Sequence, residues 1–226
     1  MKTNNNSQLN YRILMMIRTL FITCLIACLN SGQATAQSEV STWSSIKLSG
    51  KIGSKTTYGL RPIVRHKNSY SDYSNTSMDL SIKRKLGNGF SFFFLERYSW
   101  LKDGVNRNLM LMDIRHSLYL FKGVKLSNTI RWHLAHDVEI EDPNFLCYLG
   151  TIKFFSENKI SSFIGIQYFY RLDGVNEISR TRYRMGINYK LNSKWKINVQ
   201  LWNTKRVSET GITSSYILLP SLTYKI

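Results

Sequence analysis

Three arginines at alternate positions, Arg180, Arg182 and Arg184, are the residues of this chain best suited to chemistry. A guanidinium keeps its charge at any accessible pH and presents a planar fork of donors, so it clamps a carboxylate or attracts a passing anion. Successive side chains of a β-strand point to opposite faces. The segment from Ser179 to Leu191 therefore has Arg180, Arg182, Arg184, Asn188 and Lys190 on one face and Tyr183, Met185, Ile187, Tyr189 and Leu191 on the other. By the same parity, other segments add Arg61, Arg65, Asp79, Lys83, Asp113, Arg115, Arg131, His133, Lys153, Gln167, Arg171 and Gln200 to the cationic face. Two readings follow. Arginine forks pairing with Asp79, Asp113 and Glu96 would make a structural network. Alternatively, Arg115, Arg131, Arg180, Arg182 and Arg184 would line a path for anions, because cations outnumber those acids.

A second set, His133, His136 and Asp137, closes one segment and has the residue types of a hydrolytic site. Parity points His133 and His136 to opposite faces, which opposes shared metal ligation, and neither G-x-S-x-G nor H-E-x-x-H occurs. No catalytic residue, metal or cofactor is assigned on this basis. Asp137, Glu139, Glu141 and Asp142 read as a solvated acidic loop, since they lack the glycine turn and spacing of a calcium loop. His116 falls on the apolar face between Ile114 and Leu118, and Cys147 reads as a small packing residue.

The elements that must hold these residues are strands. Candidate strands are Tyr58–His66, Thr76–Leu86, Phe90–Trp100, Asn108–Phe121, Lys125–His136, Phe145–Phe155, Lys159–Leu172, Ile178–Leu191, Lys194–Thr204 and Tyr216–Ile226. Short turns such as Gly87-Asn88-Gly89, Lys122-Gly123-Val124 and Asn192-Ser193 alternate with wider connections such as Asp137–Asn144 and Asp173–Glu177. A polar face, an apolar face and alternating connection lengths are the pattern of an antiparallel transmembrane β-barrel, apolar outside and polar inside. Aromatics near strand ends, among them Trp100, Phe121, Tyr168, Tyr189 and Tyr224, suit girdles at membrane interfaces. Bacterial single-chain barrels favour even counts, so about ten strands are expected, with twelve the alternative. Trp43–Ile52 is then left outside the barrel, and Pro62 and Pro220 fall on the two strands that meet at the seam.

The formal charge of +17 does not by itself make a nucleic-acid binder, and no nucleic-acid motif is present. Charge is sorted along the chain: acids crowd the wide connections, as at Asp137–Asp142, and lysines the short turns, as at Lys83, Lys85, Lys122, Lys125, Lys190, Lys194 and Lys196. Arg18, the apolar run Leu20–Leu29 and Ala34-Thr35-Ala36 make a secretory signal peptide over residues 1–36, cleaved near Ala36, with residues 37–226 as the barrel domain. Met15 or Met16 could be the true start, and Leu25-Ile26-Ala27-Cys28 offers a lipobox as a rival processing site. Cleavage after Ala36 removes Cys24 and Cys28, so Cys147 has no disulfide partner.

Trp43-Ser-Ser-Ile-Lys-Leu, Glu96-Arg97-Tyr98 with Trp100, the Arg180–Arg184 ladder and the closing Leu222-Thr-Tyr-Lys-Ile together resemble a domain-of-unknown-function family of small Gram-negative outer-membrane β-barrels. Ile226 departs from the aromatic residue usual at the end of such chains. The resemblance implies a barrel and an outer-membrane location, and carries over no catalytic residue. The expected protein is a monomer among outer-membrane lipids and lipopolysaccharide, with a structural or small-solute role and no nucleic-acid partner. Two other classes compete: a lipid-modifying or hydrolytic enzyme on the same barrel, and a soluble periplasmic lipid carrier. The carrier would need its apolar face inward and Arg180, Arg182 and Arg184 in solvent.

Overall fold

The computed structural model describes residues 39–67, 72–102, 104, 106–135, 144–155, 159–172, 177–208 and 211–226. The expected leader, Cys28, His136, Asp137 and the rest of the acidic loop lie outside the described residues. The unit from Glu39 to Ile226 consists of eleven strands: β1 Glu39–Ile52, β2 Thr56–Lys67, β3 Asp72–Gly87, β4 Phe90–Leu101, β5 Asn106–Phe121, β6 Val124–Ala135, β7 Phe145–Phe155, β8 Ile160–Arg171, β9 Ile178–Lys190, β10 Trp195–Ser208 and β11 Gly211–Lys225. Each strand pairs antiparallel with its sequence neighbours, and β1 closes the barrel against β11 in parallel.

The count of eleven corrects the expected ten. The strand left out is β1, which covers Trp43–Ile52, and an odd count makes the closing pair parallel. A physical reason for missing it lies in the two prolines. The β1–β2 ladder lapses between Ser45↔Ile63 and Leu48↔Leu60, at Pro62, and the β1–β11 ladder lapses between Thr42↔Leu218 and Ser45↔Ser221, at Pro220. A proline has no N–H to give to a ladder. Both therefore flank β1, so Pro62 lies one strand away from the seam it was expected to mark.

Parallel closure also separates the ends. β11 finishes at the end of the short turns, while β1 starts at the opposite end, beside Ser215. The connection between β10 and β11 is tighter than expected, since the ladder runs out to Ser208↔Gly211. At the short-turn end, Gly87, Asn88 and Gly89 have φ of 102°, 46° and 78°, the left-handed region that glycine adopts freely. A Cβ on Gly89 would sit 2.3 Å from the Ser117 carbonyl oxygen, so this turn admits no larger residue without a backbone shift.

Parity sorts the two faces as expected. One row of paired outward residues runs Leu118, Leu126, Ile152, Ile164, Met185, Leu201 and Leu218 across β5 to β11 without a polar side chain. Exposed rings flank this band, with Trp100, Tyr168 and Tyr170 toward one end and Phe121, Tyr189 and Phe90 toward the other. The inward face carries the charge, the reverse of what a soluble lipid carrier needs. Glu96 is a correction: it shares the outward parity of Phe94 and Tyr98, and its Oε1 accepts the Tyr98 hydroxyl at 2.8 Å. Its neighbour Arg97 turns inward instead.

Ile164, outward and near the middle of β8, gives the band a direct test. A cation at the midplane of a lipid-facing strand costs about 2–4 kcal/mol. Ile164→Arg is expected to lower folding into lipid vesicles by that amount in a urea titration, while Ile164→Leu leaves it unchanged. Equal stability of the two variants would remove lipid from the outer face.

Candidate functional site: the cationic lumen

Strand register builds two carboxylate clamps. Asp79 on β3 stands directly opposite Arg61 on β2 and Arg97 on β4. Arg97 donates from Nε to Oδ1 at 2.6 Å and from Nη2 to Oδ2 at 3.0 Å, while Arg61 donates from Nε at 3.0 Å and from Nη2 to the same Oδ2. Asp113 on β5 stands opposite Arg131 on β6, which grips both oxygens at 2.6 and 2.8 Å. Arg115 approaches Asp113 at 3.6 Å and donates from Nε to the Thr129 hydroxyl at 3.0 Å. The two aspartates are 1 % and 0 % exposed, so each is a buried charge that needs its partners. Arg97 was missed in the sequence, where Glu96 stood in its place. The register of the Gly87–Gly89 hairpin, which aligns Arg97 with Asp79, is the signal that finds it.

The β9 arginines are held differently. Arg180 stacks over Phe145 and Phe169 at 5.4 and 5.1 Å from the ring centroids. Arg182 lies between Phe169 at 5.1 Å and Trp202 at 4.6 Å, and Arg184 lies over the other reach of Trp202 at 4.8 Å. Arg182 also donates to the Thr204 hydroxyl at 3.0 Å, and Arg184 to Gln200 Oε1 at 3.4 Å. Gln200 Oε1 further accepts the Trp202 indole N–H at 3.0 Å, which sets the ring that two arginines share. Trp202 meets Trp43 edge to face at 5.6 Å, and Arg65 stacks on Trp43 at 4.3 Å. The result is a strip of guanidinium and aromatic planes running from β7 through β10 to β1 and β2. Its aromatic members, Phe169, Trp202 and Trp43, share the inward parity of the arginines, a signal present in the sequence but read there only for charge.

A ring face compensates a guanidinium weakly and leaves its net charge intact. The lumen thus has a wall of clamped charge, over β2 to β6, and a wall where positive charge stands on aromatics. Of the five ladder residues, Arg131 and Arg115 belong to the first wall and Arg180, Arg182 and Arg184 to the second. His133 faces the lumen 5.6 Å from the Phe145 ring, and its buried Nδ1 makes no hydrogen bond among the described residues. His136 and Asp137, the other members of the rim set, lie outside the described residues. Cys147 is fully buried with Phe145 and Phe169, as a packing residue.

Fold and lumen define the class: an eleven-stranded, all-β closed barrel, apolar outside, with a cationic interior lined partly by aromatic rings. No family model matches the chain, and no curated protein matches it, so the family resemblance rests on its short motifs. Among solved structures the chain is similar to one titled KdgM porin, at 11 % identity over 74 % of this chain and 91 % of that one, with a TM-score of 0.49.

Proposed function

We propose that this chain is a monomeric outer-membrane β-barrel, exported by its N-terminal signal peptide, that passes small anions. Outer-membrane lipids and lipopolysaccharide surround it in this reading, and nucleic acid is not a partner. The observation that carries the reading is the β9 strip, because Arg182 and Arg184 face the lumen on ring faces and on hydroxyl or amide oxygens, with Arg180 on the rings of Phe145 and Phe169 beside them. Charged rings and strips in a confined pore select the opposite ion. The apolar outward row and the flanking rings support the membrane setting. Purified protein in planar bilayers is expected to conduct with a reversal potential favouring chloride over potassium. Absence of conductance, or preference for potassium, would overturn the passage role.

Orientation has its own test. The C-terminal strand of an outer-membrane barrel ends in the periplasm, which puts the short turns there and, through the parallel β1–β11 seam, puts the start of β1 outside. An epitope between Ser38 and Glu39 is expected to be labelled on intact cells. The same epitope between Asn192 and Ser193 should be labelled only after permeabilisation. Both sites labelled from one side would refute the odd-stranded closure.

A further inference from the structure

Lysines replace arginines where the lumen opens at the short-turn end. Lys190 on β9 stands directly opposite Lys196 on β10, Lys196 opposite Thr223 on β11, and Thr223 beside Lys47 on β1, all in one inward row. On the far side of the same mouth, Lys125 on β6 stands directly opposite Lys153 on β7. Lys196 is within electrostatic reach of both Lys153 and Lys47, which joins the two groups into one cluster. Like charges directly opposed on neighbouring strands destabilise a sheet, and this rim has two such pairs. Each pair belongs to a run of neighbouring cations: Lys196 is within reach of Lys153, Lys225 and Lys47, and Lys153 within reach of Lys125, while Asp79, the acid that Lys47 reaches, is already held by Arg61 and Arg97. Lys125 and Lys153 lean on Tyr119 and Phe155, at 5.5 and 4.6 Å, which steadies their stems without neutralising them.

We infer that this mouth is a binding site for a multiply charged, phosphate-class anion, held by Lys47, Lys190, Lys196 and Lys153 with the Thr223 hydroxyl as a further donor. A lysine ammonium is a compact point charge with three donors on a flexible stem, so several of them close around a tetrahedral anion from different strands. One ligand with more than one negative charge removes the repulsion of both opposed pairs at once, which chloride, with a single charge, does less well. The site is distinct from the β9 arginine strip and does not require conduction.

The test uses the detergent-folded barrel, inorganic pyrophosphate as probe and sodium chloride to hold ionic strength constant. Wild-type protein should bind pyrophosphate saturably by calorimetry and unfold at a higher temperature in its presence. Lys47→Gln/Lys196→Gln should weaken binding by at least about tenfold, as expected for losing two charge-assisted contacts. Without pyrophosphate the same variant should unfold at a higher temperature than wild type, because the repulsion is relieved; this also reports that it folds. Arg180→Gln/Arg182→Gln/Arg184→Gln should retain pyrophosphate binding. Non-saturable binding to wild type, or equal binding by wild type and the lysine variant, would overturn the site. Loss of binding in the arginine variant alone would move it to the strip. A barrel that binds pyrophosphate but conducts nothing would refute passage and leave this site standing.

Discussion

Asp113→Asn is expected to cost the barrel about 3–5 kcal/mol, the usual penalty for removing one member of a buried ion pair and stranding the other. Arg131 donates to both oxygens of Asp113, and Arg115 lies 3.6 Å away, so the substitution leaves two inward guanidinium groups without their carboxylate in a lumen already rich in cations. An asparagine keeps one acceptor oxygen, which preserves a neutral hydrogen bond but not the charge. Urea titration of the detergent-folded protein, read from the heat-modifiable band on a gel, measures the loss. Glu96→Gln is the matched control, because that carboxylate faces outward and accepts from the neutral Tyr98 hydroxyl; its cost should stay below about 1 kcal/mol, within the range of surface substitutions. Equal costs for the two variants would mean that Asp113 is no clamp.

The contrast between Asp113 and Glu96 shows what was legible in the sequence and what was not. Alternation alone separates faces, and it separated them correctly for β9, where Arg180 to Lys190 form an unbroken period of two. Turn chemistry likewise located the short connections at Gly87–Gly89 and Gly123, because glycine and asparagine at positive φ announce tight turns, but it missed how tightly β10 joins β11. Alternation cannot say which strands stand side by side or at what offset. Arg97 finds Asp79 only through the register set by the Gly87–Gly89 hairpin, and the sharing of Trp202 by Arg182 and Arg184 exists only after β9 and β10 are aligned. β1 was hidden for a different reason. Its inward residues Ser45, Lys47 and Ser49 and outward Ser44 give it a weak apolar period, and the prolines that flank it looked like marks of a seam between β2 and β11. A rule of even strand counts then outweighed a strand that the residues themselves allow.

Replacing Arg180, Arg182 and Arg184 together by glutamine is expected to bring the anion/cation permeability ratio of the reconstituted barrel down several-fold, toward one, while the protein stays folded. The structure separates these two outcomes, which parity alone could not. Had these arginines been the partners of Asp79 and Asp113, removing them would strand both aspartates and unfold the barrel. Those aspartates are held by Arg61, Arg97 and Arg131, with Arg115 nearby, and none of these changes in the triple variant. What the variant loses is five ring contacts, at roughly 0.5–1 kcal/mol each, and a few hydrogen bonds that glutamine replaces in part, a loss offset by relief of the repulsion among three neighbouring cations. The charge on the aromatic wall falls by three, whereas the clamped wall, where carboxylates already offset part of the cationic charge, is unchanged. Reversal potentials in planar bilayers under a potassium chloride gradient read the ratio, and the gel shift reads folding in the same sample. The reciprocal variant, Arg61→Gln/Arg97→Gln, should lose stability first, since it strands Asp79. If the triple variant instead fails to fold, or folds with its ion preference unchanged, the β9 strip is a packing element and the selective surface lies elsewhere in the lumen.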